Sequence, residues 1–479
     1  MMKKNYAISF IISIATMTIM SATMSTVSAQ VSTLYHLETV STRHELNPSF
    51  QPIPNGYFST IPVLSGFSFD AGNNSLTFSD FILPRKGGGR PSMFFNNTEA
   101  IDNFYKNLQK TVHLYAEADV RLFAFGIKIN DSACITVGLD TKASANVFVP
   151  RDMVKLAIYG TADTVGINSF NLDHLGIRSN VYTELAMGYS QKILPKLFVG
   201  GKLKLLFGHA NYNGKIDRLR LNASREQGDL DIKGSFDMSV PGAEYKIDDK
   251  GRIEKIDVES ITLSNIIGGF GVAIDLGANY KLLDDRLRVS ASLLDLGFIR
   301  WKANNALHTS FDGDYKFEGI DFEFEDGVAK WDKDYFDNIE ESIEYKTVAN
   351  KSYSSTLAAK VFLGAEYGVW DNKMSVGLLS KSTIVNKTVF EEITASANYL
   401  QYEFFNASLS YSLLNGRFGA IGIGLGSRIG PVNLYFAGDY FPAKYTSQYI
   451  PHKNKRFNFQ MGLLFNFGYK KAKIEKVEN

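Results

Sequence analysis

Apolar and polar residues alternate with period two along most of this chain. The last run shows it most plainly. From Arg456 to Tyr469, one face carries Phe457, Phe459, Met461, Leu463, Phe465, Phe467 and Tyr469. The other carries Arg456, Asn458, Gln460, Gly462, Asn466 and Gly468, with Leu464 as its one apolar member. Side chains alternate across a strand, so one surface is apolar and aromatic and the other polar. Too few helical patterns accompany these strands to cover so many apolar faces. Lipid outside and a polar interior satisfy the pattern, which predicts an all-β fold: a transmembrane antiparallel β-barrel.

The same alternation recurs in Tyr57–Ala71, His113–Ile129, Ile135–Val147, Val181–Ile193, Leu197–Phe207, Phe270–Leu282 and Arg286–Trp301. It returns in Leu357–Trp370, Lys373–Val385, Val389–Asn398, Phe405–Leu413, Phe418–Ile429 and Val432–Phe441. In Arg286–Trp301 the phase slips at Leu293-Leu294, as a bulge causes. Tight turns (Asn130-Asp131-Ser132, Leu194-Pro195-Lys196, Leu283-Asp284-Asp285, Asp371-Asn372, Gly430-Pro431) alternate with long connections. Barrels of this class have short periplasmic turns and long outer loops. With both termini periplasmic, every tight turn falls on the inner side only if Tyr57–Ala71 is the first strand. The count is then about 14, with 12 and 16 as the alternatives. The strand-like runs within 211–265 predict hairpins standing above the membrane.

Lys3 and Lys4 precede a diluted apolar run, and Val27-Ser28-Ala29 fits a small-x-small cleavage site. Residues 1–29 therefore predict a cleaved signal peptide with Gln30 as the mature start. No run of 18 apolar residues follows, which argues against helical spans. Strands behind a signal peptide point to the outer membrane of a Gram-negative cell, with its lipid and lipopolysaccharide as surroundings. The expected organisation is an N-terminal periplasmic or hatch segment over 30–56, a barrel over 57–469 and a tail over 470–479. Within the barrel, 72–111 is a plug or loop with a short helix (Ile101, Phe104, Tyr105 and Leu108 recur at helical spacing). Residues 302–352 form an acidic outer loop whose interleaved aromatics suit a folded cap over the barrel mouth or against a protein partner.

Composition narrows the chemistry. A formal net charge of +1 over 479 residues gives no footprint for nucleic acid. Cys134 is the only cysteine and excludes an internal disulfide framework. No nucleophile elbow or His-Glu-x-x-His helix is present, the seven histidines are scattered, and neither an enzyme, a cofactor nor a metal is expected. Gly422, Gly424 and Gly426 lie at period two in a strand, so they are not a nucleotide loop; small residues there leave room for something packed against the wall. The polar faces carry Glu117, Asp119, Arg121, Asp140, Lys142, Glu184, Lys202, Lys204, Asp275, Lys281, Arg288, Lys360, Glu366 and Arg456. An Arg or Lys facing lipid at mid-depth would cost about 2–4 kcal/mol, which places these charges in the lumen. Their mixed signs favour a paired network that anchors a plug over a selective pore.

Arg43-His44-Glu45-Leu46-Asn47-Pro48-Ser49-Phe50, the strand count and the tail Gly462-Leu463-Leu464-Phe465-Asn466-Phe467-Gly468 together resemble an uncharacterised family of outer-membrane barrels. That family sits within the long-chain fatty-acid transporter (FadL-like) superfamily, which includes PorV-like barrels. Asn47-Pro48-Ser49 is similar to the superfamily's Asn-Pro-Ala motif, which implies a hatch in the lumen. Two functions stay open. A conduit for hydrophobic small molecules implies an apolar pocket at hatch candidates Asn47, Pro48, Phe58, Phe67, Phe69, Phe78 and Phe81. A non-transporting, PorV-like scaffold implies a sealed barrel that docks a partner protein at its outer loops or periplasmic side.

Overall fold

The computed structural model describes residues 32–51, 56–60, 65–75, 82–83, 92–93, 98–159, 168–223, 227–258, 265–317, 322–325, 328–331, 341–385, 388–402, 404–414, 417–441 and 456–468. The expected signal peptide, Phe78, Phe81, the 470–479 tail and many acids of 318–340 lie outside these residues.

Fourteen antiparallel strands form the wall. They are β1 (Tyr57–Ser59, continued by Gly66–Asn73), β2 (Thr111–Lys128), β3 (Ala133–Pro150), β4 (Gly176–Leu194), β5 (Leu197–Ala223), β6 (Gly269–Leu282) and β7 (Leu287–Trp301). Then come β8 (Tyr353–Thr356, continued by Ala359–Val369), β9 (Met374–Val385), β10 (Thr388–Tyr402), β11 (Phe405–Leu414), β12 (Arg417–Ile429), β13 (Val432–Phe441) and β14 (Arg456–Phe467). Each pairs with the next, and β14 returns to β1 through Tyr57↔Phe467 and Phe67↔Met461. Closure removes every free edge, the condition for β-structure in lipid. The tight turns all lie at one end of this barrel, as the parity of the sequence requires.

Alternation sorts the two faces as expected. Met187, Leu203, Leu276, Leu363, Leu378 and Leu409 are about half exposed on the outside. Phe457 and Met461 share that face, whereas Leu464 is fully buried inside. The exception in the last strand is thus a lumen residue that meets an apolar core.

The register of the wall shifts at several places, β7 and β1 among them. In β7, Leu294 and Asp295 together oppose Asp275 of β6, since Ile274 pairs with Leu296 and Leu276 with Leu293. Asp295 has φ 58°, an uncommon backbone for a non-glycine residue. This is the bulge marked by the phase slip at Leu293-Leu294. In β1, Ser59 faces Phe125 and Gly66 faces Arg121. Seven steps on β1 therefore oppose four on β2, more residues than a regular ladder takes.

The segments read as outer loops extend the sheet of the barrel. β5 continues beyond the barrel to Ala223 and pairs with Gly228–Ser239; that strand pairs with Ala306–Phe317, which pairs with Ile343–Ala349. Much of the 302–352 segment is therefore strand rather than loop. One face of this sheet is charged. Lys233 donates to Asp312 and holds its carboxyl below the usual range, with Arg218 beside it. Helix α1 (Thr98–Asn107) packs Phe104 and Leu108 on Val112 and Val149 at the outer end of β2 and β3, with Val154 of α2 (Arg151–Tyr159). Val112 and Leu114 alternate with the inward His113 and Tyr115, so α1 sits on the outside of the barrel. Among the described residues, the lumen is filled by the segment N-terminal to β1.

Candidate functional site: a plugged lumen

Residues 32–50 run through the barrel interior as two 3-10 turns, Ser32–His36 and Ser41–Glu45, followed by the Asn47-Pro48-Ser49 turn. Short polar residues and a proline favour such turns over a longer helix. Leu34, Tyr35, Leu37, Val40, Leu46 and Phe50 form one buried core with Phe58, Leu294, Phe362, Leu379 and Leu464 of the wall. The Tyr35 ring stacks on Phe362 at 5.9 Å and meets Phe50 edge-on at 5.1 Å.

Asn47 fixes one end of this plug. Its Oδ1 accepts from the Ser49 amide (3.0 Å) and hydroxyl (2.6 Å), which closes the turn. Its Nδ2 donates to the carbonyls of Ala278 (3.3 Å) and Ala291 (3.2 Å) in the wall. Asn279 Nδ2 donates to the Ser49 carbonyl at 3.1 Å, and Ser292 Oγ donates to the Leu46 carbonyl at 2.7 Å. Space for this turn comes from Gly200 and Gly277, which are direct cross-strand partners. A Cβ at Gly200 would stand 2.2 Å from the Pro48 carbonyl oxygen, and one at Gly277 would stand 2.1 Å from Asn47 Oδ1. The glycine row of β12 serves the other end. Cβ atoms there would strike Thr33 from Gly422, Leu37 from Gly424 and Thr39 from Gly426. The something packed on those glycines is the plug.

Most of the lumen charges are paired, and several hold the plug. Arg121 binds Asp140 at 3.0 Å and also plug residue Glu45. Arg288 binds plug residue Glu38 at 2.6 Å and Glu366 at 3.3 Å. At the β7 bulge, Lys204 meets Asp295 at 2.5 Å and Asp275 at 2.8 Å, while Lys142 meets Glu184 at 2.9 Å. Lys360 reaches Asp295 (3.9 Å) and Glu117 (4.0 Å). Arg456 binds Asp70 and Glu392, each at 2.7 Å. Asp119 and Lys202 line a space of about 40 Å³ between the plug and β2–β5. Lys281 is half-buried near an inner turn, 3.2 Å from Asp285. The periodicity missed Asp295, Asp70, Lys381, Glu392 and Asp439, and the plug acids Glu38 and Glu45. The phase slip signalled Asp295, and Asp70 shares the inward parity of Ser68 in its strand.

The hatch candidates divide. Asn47, Pro48 and Phe58 belong to the plug seat; Phe58 is fully buried beside His44. Phe67 and Phe69 do not line an interior pocket. They alternate with the buried Ser68 and Asp70 and contact Phe459 on the outward face.

Above the plug lies a second space of about 50 Å³. Its walls include Tyr115, Val385 and Leu414, and its floor is the Asp70–Arg456–Glu392 group. At its rim the His113 ring stacks on Phe148 (4.6 Å, 13°) and on Phe390 (4.5 Å, 27°). Residues 113 and 148 are on β2 and β3, whereas Phe390 comes from β10 on the far side of the barrel, so the rings cross the lumen. No group of His, Cys, Asp or Glu among the described residues could hold a metal ion.

A family model described as "Family of unknown function (DUF5723)" matches residues 48–439. No curated protein matches the chain. Among solved structures, the Pseudomonas putida toluene transporter TodX is similar at 10% identity, covering 88% of this chain and 93% of that one with TM-score 0.41. A Pseudomonas aeruginosa FadL homologue is 8% identical, covering 88% and 92%, with TM-score 0.36. CymD, a monoaromatic hydrocarbon channel, is 8% identical, covering 90% and 93%, with TM-score 0.31. Scores at this level decide nothing about the fold, which rests on the strand register itself.

Proposed function

We propose, for a chain that belongs to the DUF5723 family of unknown function, that it is an outer-membrane conduit for small apolar molecules, closed at rest by residues 32–50. The observation that carries this reading is the ring stack at the rim of the space over the plug's anchors. Three near-parallel ring planes (Phe148, His113, Phe390) present π-faces at 4.5–4.6 Å spacing. A flat apolar guest replaces one ring contact with another at little cost. The floor of that space includes Glu392, which also accepts a 2.6 Å hydrogen bond from Ser32 of the plug. A guest therefore sits one residue away from what holds the plug.

The test is binding of the apolar fluorophore N-phenyl-1-naphthylamine to the purified, detergent-folded barrel. Saturable emission is expected, and Phe390→Ala should weaken it about 10-fold or more, the effect of about 1.5–3 kcal/mol of lost aromatic burial. Absence of saturable binding, or an unchanged affinity in Phe390→Ala, removes the apolar-conduit reading.

A further inference from the structure

Arg121, Arg288 and Arg456 are each held in the lumen by carboxylates. Arg178, at the outer end of β4, is not. It has no hydrogen bond, ion pair or nearby charge among the described residues. It shares the inward parity of the buried Tyr182 and Glu184, and no register shift between β3 and β4 turns it outward. Its direct cross-strand partners are amides, Asn146 of β3 and Asn213 of β5. Asn213 Oδ1 is itself buried without a partner. The next acid along this row, Asp237, is one strand further on and lies 2.8 Å from His308 Nδ1. A guanidinium left unmatched among amides suits a planar anion that takes two parallel N–H bonds.

The ring stack stands next to this cation. Phe148 pairs with Gly176, two residues from Arg178 on β4. Phe148 and Arg178 are therefore diagonal neighbours on one face, about 7–8 Å apart. His113 joins the two sides of the site. It stacks on Phe148, and its Nε2 donates to Asn146 Oδ1 at 3.0 Å. Flat π-faces and one unmatched guanidinium thus sit side by side above the plug. We propose that the molecules this passage takes are aromatic acids. The ring enters the Phe148–His113–Phe390 stack, and the carboxylate pairs with Arg178. Arg178 is then the residue that selects an anionic head, and the stack selects a flat body over an extended chain. This rests on the conduit reading above and narrows its cargo.

The purified, detergent-folded barrel is titrated by calorimetry with 2-naphthoate, with its neutral isostere 2-naphthamide and with octanoate. Naphthoate should bind about 10-fold or more tightly than naphthamide, the effect of hydrogen bonds to a charged group. Arg178→Gln should abolish that ratio and leave the affinity for naphthamide unchanged, which also shows that the variant is folded. Phe390→Ala should weaken both aryl ligands and keep their ratio. Octanoate carries the charge without a flat face and should bind about 10-fold more weakly than naphthoate. Equal binding of naphthoate and naphthamide, a preference that survives Arg178→Gln, or octanoate binding as tightly as naphthoate overturns the proposal. Binding of naphthamide with no preference for the acid leaves the conduit standing and removes only the role of Arg178. Failure of both aryl ligands to bind removes the conduit reading and this one with it.

Discussion

Gly200→Val should expel the plug while leaving the barrel closed. The Cβ would meet backbone, the Pro48 carbonyl at 2.2–2.4 Å and the Ser49 nitrogen at 2.8 Å, and these atoms cannot rotate away. Six apolar plug residues are buried, a gross gain of about 1.5–3 kcal/mol each. Ordering a segment of this length costs a comparable or larger amount, about 1–2 kcal/mol per residue. The seat is therefore held by a small difference, with Asn47's hydrogen bonds and the Glu38 and Glu45 ion pairs deciding its sign. A steric penalty of about 3 kcal/mol, the upper end for overpacking, should raise trypsin cleavage after Arg43 by about 100-fold. Gly138→Ala is the control, since its nearest neighbour is Asp140 Oδ2 at 3.4 Å. If Gly200→Val leaves Arg43 as protected as Gly138→Ala does, the plug is not seated on these glycines.

Lys204→Met should destabilise the barrel itself by about 3–5 kcal/mol, the cost of stripping a buried charge of its partner. Lys204 is 4% exposed and neutralises Asp295 and Asp275, two carboxylates brought together by the β7 bulge. The Asp295 amide also donates to Asp275 Oδ1 at 2.8 Å, so the bulge and the charge cluster are one structure. Adding Asp275→Asn and Asp295→Asn to Lys204→Met should recover most of the loss, because neutral amides need no cation. Urea unfolding of the refolded barrel measures this. A triple variant no more stable than Lys204→Met would show that the ion pairs are incidental and that packing of the lysine stem carries the effect.

The barrel was legible because lipid imposes a strict rule: each strand must alternate and the sheet must close. Period two located the strands, the side on which the tight turns fall gave an even count, and the β12 glycines already signalled contact with something packed on the wall. The lumen's content was less legible. Residues 32–50 form 3-10 turns without a period that could aim Glu38 or Glu45, so their pairing with Arg288 and Arg121 had no local trace. Phe67 and Phe69 were read by composition as pocket residues, while their own strand's alternation, with Ser68 and Asp70 inward, assigns them to lipid. Lys381, Glu392 and Asp439 meet across strands distant in sequence, and only closure brings them together.

The central claim is that residues 32–50 close a passage for apolar molecules, and a reversible clamp tests it most directly. Leu37 Cδ1 lies 2.7 Å from where a Cβ at Gly424 would stand, so Leu37→Cys with Gly424→Cys, in a Cys134→Ala background, can tie the plug to β12. Passage of naphthalene into proteoliposomes is then followed before and after reduction. The account predicts transport by the parent barrel, arrest in the oxidised pair and recovery on adding a thiol. Equal transport in the oxidised and reduced states would contradict closure by the plug, and no transport by the parent barrel would contradict the conduit.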